Sequence, residues 1–198
     1  MNDQATDVRW ARLVALLRPI HTQATATARR LARSSAEGDD LYQEAVLRAF
    51  DKLHTLREES KFGAWFYATL LSRHRSRSRR RFWSRFRSLE DLPAGDDPVG
   101  DDGRAWAGEL AAAGRARSAL ASLAPEQREA VVLFELDGYS IEEIAGMQGA
   151  SVSAVKSRLA RGRRRLARFY ERRGWAAEVL GSVNQASGSR RDEAEAAS

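Results

Sequence analysis

Between Arg73 and Arg87 the chain reads RHRSRSRRRFWSRFR, eight arginines among fifteen residues, with Phe82, Trp83 and Phe86 interleaved. Guanidinium groups pair with phosphate through two parallel hydrogen bonds and stack on bases, and aromatic rings beside them offer platforms for unstacked bases. The pattern predicts contact with nucleic acid; a solvated basic helix end is the plainer alternative. A second basic constellation begins at Val152. Ser153, Lys156, Ser157, Ala160, Arg161 and Arg164 share one side of a helical repeat whose other side carries Val155, Leu159 and Leu166. Small residues let such a helix sink into a major groove, while Lys and Arg reach guanine edges and flanking phosphates. The series Arg158, Arg161, Arg163, Arg164, Arg165 and Arg168 is too dense for every member to read a base, so most of it should meet phosphate or solvent. A helical hairpin with an exposed basic face is the alternative here.

Bond-breaking chemistry is not expected. The chain has no Cys and three scattered His, and it shows no paired nucleophile and base, no metal-ligand spacing and no Gly-rich phosphate loop. Neither a cofactor nor a metal is called for, and no enzymatic activity is expected of the chain itself.

Helices must position these side chains. Val8, Trp10, Leu13, Val14, Leu16, Leu17 and Ile20 recur at helical spacing, and Gly38 with Asp39 or Asp40 then reads as a break and an N-cap. A second helix should carry Leu41, Ala45, Val46, Ala49, Phe50 and Leu53 along one side. A third begins near Lys61, where Phe62, Trp65, Phe66, Thr69 and Leu70 follow the spacing of a buried face; Trp65 and Phe66 read mainly as core. In the second half, Pro125 opens a helix over Glu126 to Leu136 that Asp137-Gly138 closes. Ser140 caps a short helix with Glu143 in capping-box position, and Ile144, Ala145 and Met147 form its inner side. Gly149-Ala150-Ser151 then turns the chain into the helix from Val152. Two helices joined by a three-residue turn containing Gly are the helix-turn-helix signature.

The average composition conceals a segregation of charge. Lys+Arg number 33 against 27 Asp+Glu over 198 residues, a formal +6. Residues 1–87 carry a net +9, residues 88–114 a net −6, residues 115–173 a net +5 and the last 25 residues a net −2. The simplest organisation is all-α: two small helical domains, 1–87 and 115–173, joined by a flexible acidic linker, 88–114, with a disordered tail over 174–198. The linker is either a solubilising spacer or a contact segment. No stretch approaches the roughly 20 apolar residues that span a bilayer, and the first residues lack a signal pattern. A cytoplasmic protein without membrane insertion is expected.

The stretch ALASLAPEQREAVVLFELDGYSIEEIAGMQGASVSAVKSRLARGRRRL resembles region four of the extracytoplasmic-function (ECF) sigma factors, the small bacterial sigma factors of the sigma-70 family that direct RNA polymerase to promoters. Leu123, Pro125, Gly138, Ser140, Glu143, Ile144, Gly149, Val155, Lys156, Ser157 and Leu159 fall in register with that family. Asp40-Leu41-Tyr42-Gln43-Glu44 followed by Phe50, and Phe62, Trp65, Phe66, Tyr67 with Arg79-Arg80-Arg81, resemble region two. The resemblance implies core RNA polymerase as partner, met at the clamp of its largest subunit and the flap of its second-largest. Asp40, Leu41, Gln43, Glu44 and Leu47 would dock on the clamp. Region two would capture and melt the minus-ten element, with Thr55 to Phe62 accepting an unpaired base and Lys61, Phe62, Trp65, Tyr67, Arg73, Arg79 and Arg80 meeting DNA. Ser153, Lys156, Ser157, Arg158, Arg161 and Arg164 would meet the minus-thirty-five element. The acidic linker would thread through the polymerase, and an anti-sigma factor is a frequent partner in the family.

Several positions depart from the family pattern. Ser72 and Ser76 stand where Asn and Asp are usual, and the approach to Leu41 is abbreviated to Gly38-Asp39-Asp40. Gln148 occupies a usually apolar position and Ala150 replaces a larger aliphatic, which predicts a loosely packed turn. Two other functions share parts of the pattern. A free-standing helix-turn-helix repressor or activator leaves the helix from Asp40 to Phe50 without a purpose, and a general basic nucleic-acid-binding protein predicts sequence-independent affinity that falls steeply with salt.

Overall fold

The computed structural model describes residues 2–87 and 107–175, which form eight α-helices and no strand among the described residues. The first helix, α1 (Asn2–Leu17), stops short of the repeat that suggested it, because Pro19 lacks an N–H and disfavours helical backbone in the residue before it. The chain restarts as α2 (His21–Leu31). No apolar stripe announces α2. Its buried face is Ala24, Thr27, Ala28 and Leu31, small side chains that let a neighbour approach closely. On α1, Leu13 and Leu17 are buried while Val8, Trp10 and Val14 are exposed.

The expected break at Gly38 with an Asp39 or Asp40 cap is not there. Helix α3 (Ser35–Lys52) starts earlier, capped by Ser34, whose hydroxyl accepts from the Glu37 N–H at 3.1 Å. Gly38 lies inside α3, where a Cβ would stand 2.4 Å from Arg29 Cα. Its lack of a side chain is what allows α3 to cross α2 at backbone contact. Two short 3-10 turns, Leu53–Thr55 and Glu59–Lys61, lead into α4 (Phe62–Arg87), which buries Phe66, Tyr67, Leu70 and Leu71 completely. Each such apolar side chain contributes roughly 1.5–3 kcal/mol.

The second unit comprises α5 (Ala107–Ala121), α6 (Pro125–Val131), a π-helical turn (Val132–Leu136), α7 (Ile141–Gln148) and α8 (Val152–Glu171). Residues 107–114, which composition assigns to the linker, are helical, as the alanine run 111–113 favours. The remainder of the linker, 88–106, and the tail from 176 lie outside the described residues. Pro125 occupies the first turn of α6 as expected. The capping box at Ser140 and Glu143 is complete, and Gly149 takes the left-handed conformation, φ 61°, that ends α7.

Both units share one hydrophobic cluster. Helix α4 packs against α6 and α7, and α2 against α5 and the π-helical turn. Among the described residues the two helical units therefore rest directly on each other.

Candidate nucleic-acid interface

The helix-turn-helix is built by α7 and α8. Ser151 caps α8 by accepting from the Ala154 N–H at 3.2 Å, and Val155 and Leu159 seat the helix on the core. Ser153, Lys156, Ser157, Ala160, Arg161 and Arg164 are all exposed, so the outer face drawn from the spacing exists as a surface. The neighbouring cations have other work. Arg163 pairs with Glu135 at 2.6 Å and Arg165 donates to the Ser122 carbonyl at 2.7 Å, while Arg164, on the outer face, rests against the Ala160 carbonyl of its own helix at 3.2 Å. Arg158, expected at DNA, is half-buried and turned inward, donating to Gln148 Oε1 at 2.7 Å.

Helical geometry splits the arginine run of α4 among three directions. Arg73, Arg77 and Arg81, one turn apart, face α3. Arg73 lies 3.6 Å from Glu44, Arg77 bonds Glu44 at 2.8 Å, and Arg81 pairs with Glu37. His74 and Arg75 face the second unit. Arg79 and Arg80 remain exposed and, with Arg73, Ser76 and Trp83, border an open groove of about 490 Å³. Lys61 is exposed and pairs with Glu58 at 2.9 Å. Trp65 is half-buried. Phe62 and Tyr67, expected at DNA, are 3 % and 0 % exposed. Phe62 packs on the rings of Trp65 and Phe66, and Tyr67 meets the Tyr139 ring edge-on at 5.2 Å. Phe62 is thus a core side chain of the first unit, and Tyr67 is buried against Tyr139 of the second, away from the arginine groove.

The proposed docking residues on α3 divide in the same way. Asp40, Gln43 and Leu47 are exposed at a helical spacing that puts them on one face, with Glu44 half-buried against the arginines. Leu41 is 1 % exposed. It is a core side chain of the free chain and not part of the exposed face that Asp40, Gln43 and Leu47 form.

A buried polar hub between the two units is absent from the sequence reading. The His74 Nδ1 lies 2.9 Å from Glu129 Oε1, and Glu129 is fully buried. Gln148 Nε2 donates to Glu129 Oε2 at 3.1 Å and to the Glu126 carbonyl at 3.0 Å, while Arg75 donates to the Gln148 carbonyl at 3.2 Å. The turn is therefore not loose at Gln148. Arg128 donates to the carbonyls of Leu31 at 2.7 Å and Ala121 at 2.8 Å; burial, then repulsion from Arg33 and Arg81, pushes its guanidinium down to about 10. Asp137 accepts from Thr27 at 2.7 Å and pairs with Arg30, and its burial raises its carboxyl above the ordinary range despite both partners. The one sequence signal for this hub was Gln148, a polar residue in an apolar register. No group of metal-ligating side chains occurs among the described residues, and no described helix is long and apolar enough to cross a membrane.

Two stacked helical units, one ending in a helix-turn-helix and the other in an arginine-studded helix, define a DNA-binding transcription protein. Residues 16–84 match the family profile "Sigma-70 region 2" and residues 113–166 the profile "Sigma-70, region 4". The chain is 36% identical over 154 residues to the ECF RNA polymerase sigma factor SigM of Mycobacterium tuberculosis, covering 78% of this chain and 74% of that one. It is 32% identical over 138 residues to the ECF RNA polymerase sigma factor EcfG of Rhodopseudomonas palustris, covering 69% and 72%. Among solved structures it resembles the sigma factor RpoE of Bartonella quintana in complex with the anti-sigma factor NepR, with TM-score 0.60, 25% identity and coverage of 78% of this chain and 94% of that one. CnrH in complex with the cytosolic domain of CnrY is similar at TM-score 0.58 and 25% identity, covering 85% and 94%. The chain belongs to the sigma-70 family as an ECF RNA polymerase sigma factor.

Proposed function

We propose that this sigma factor binds core RNA polymerase in the cytoplasm and, without catalysing any reaction itself, directs initiation at promoters carrying a minus-ten and a minus-thirty-five element. The observation that carries the reading is the outer face of α8, where small and cationic side chains stand together on a helix seated by Val155 and Leu159. Lys156, Ser157 and Arg161 read the upstream element in the major groove, while Ser153 and Arg164 address phosphate. Lys61, in the turn just before α4, and Arg79, Arg80 and Trp83 on that helix offer cations and a ring to the opened minus-ten strand. Asp40, Gln43 and Leu47 form the docking face for the clamp of the largest subunit, and the second unit meets the flap of the second-largest.

The two elements are centred about 25 base pairs apart, roughly 85 Å of duplex at about 3.4 Å per step. Helices α4 and α8 cannot serve both while α4 packs on α6 and α7, so the units part on the polymerase. The solved relatives held by NepR and CnrY support an anti-sigma factor as a further partner. Purified core polymerase on a library of genomic fragments tests the function. Addition of the chain is expected to yield discrete run-off transcripts, and transcription unchanged by its addition would overturn the reading.

A further inference from the structure

Gln148 joins two groups that cannot be joined by an apolar side chain. It is the last residue of α7 and is 4 % exposed. At one end its amide donates to the buried Glu129 carboxylate at 3.1 Å and to the Glu126 carbonyl at 3.0 Å; at the other its oxygen accepts from Arg158 at 2.7 Å. A buried carboxylate is tolerated only when donors surround it, and Glu129 has His74 on its other oxygen at 2.9 Å with Arg75 at 3.8 Å. The Arg158 guanidinium thus reaches that charge through an amide, a group able to donate and accept at once. Leu or Met at position 148 could do neither, and a lone Glu there would set a second carboxylate against Glu129. Arg158 sits on α8 between Ser157 and Leu159 and one turn from Arg161. Holding its side chain fixes how α8 is rotated against α6 and α7.

We propose that Gln148 is a positioning residue for sequence reading by α8: by bridging Glu129 to Arg158 it sets the angle at which Lys156, Ser157 and Arg161 meet the duplex. The inference rests on the proposed reading of the minus-thirty-five element. Val155 and Leu159 are buried at 0 % and 4 % and keep α8 seated without the amide, so its loss changes aim before it changes folding.

The test uses holoenzyme reconstituted with purified core polymerase and promoter fragments randomised over the minus-thirty-five block. Four forms of the chain are compared: wild type, Gln148→Met, the exchange Glu129→Gln with Gln148→Glu, and Lys156→Ala. Gln148→Met is expected to lower the ratio of specific to non-specific binding roughly tenfold, within the range of a lost base contact. The slope of affinity against salt should stay unchanged, because no phosphate contact is removed. The exchange variant should recover part of the ratio, since the new amide at 129 donates to the new carboxylate at 148, which still accepts from Arg158, while the Glu126 carbonyl loses its donor. Wild-type selectivity retained by Gln148→Met overturns the inference, as does a uniform loss at all sequences that the exchange fails to rescue. If Lys156→Ala also leaves the selected sequences unaltered, the reading of the upstream element falls first and the positioning role with it.

Discussion

Lys156 and Arg161 stand exposed on α8, whereas Arg158, between them, is drawn into the hub. The difference assigns them different effects. Lys156→Ala or Arg161→Ala should cost about 1–3 kcal/mol at particular bases of the upstream element, measured by competition among single-base promoter variants; equal weakening at every variant would place that side chain on phosphate. Leu41 and Leu47 make a similar contrast on α3. Leu47→Asp is a surface change, expected to alter stability by no more than about 0.5 kcal/mol while abolishing co-elution with core polymerase. Leu41→Asp buries a charge and should cost at least about 4 kcal/mol in denaturant unfolding. Unimpaired polymerase binding by the Leu47 variant would remove α3 from the docking surface. The family resemblance named both leucines for docking, whereas the helical spacing had already put Leu41 on the apolar side with Ala45 and Ala49 and left Leu47 off it.

Elements defined by local chemistry were legible in the sequence. Pro125, the Ser140–Glu143 capping box and the turn at Gly149 sit where spacing put them, since caps and turns depend on a few adjacent residues. Helix α2 was not legible, because an Ala and Thr face carries no apolar contrast, and the start of α3 was misread because Asp39 and Asp40 resemble caps as well as Ser34 does. The division of the arginine run depends on α3 and α6 lying beside α4, which only tertiary structure reveals. Two tests belong at this scale. Gly38→Ala should destabilise by about 1–3 kcal/mol through overpacking against the Arg29 backbone, and an unchanged unfolding midpoint would mean the helices do not touch there. Glu143 is held below the ordinary carboxylate range by the Ser140 backbone N–H, then by its hydroxyl. Its contribution is therefore fully present above the unfolded Glu pKa and lost as pH falls through the lowered folded value. The stability difference between wild type and Glu143→Gln should shrink on acidification through that window; a difference that grew would contradict the cap.

At the scale of the whole molecule, the +6 total is a cancellation between two basic units and an acidic connector. The structure adds that the units rest on each other through Glu129, Asp137 and Arg128, groups buried with their partners. Such a contact holds firmly while intact and yields polar groups to water when parted. That combination suits the proposed parting of the units on core polymerase. The central claim is that the two units act on separate promoter elements. The chain has no cysteine, so Lys52→Cys on α3 and Ala167→Cys on α8, both at exposed positions, take a donor and an acceptor dye without competition. Energy transfer between them should report a short distance in the free chain. In the promoter-bound holoenzyme it should lengthen toward the roughly 85 Å between the elements. An unchanged short distance on the promoter would contradict the account.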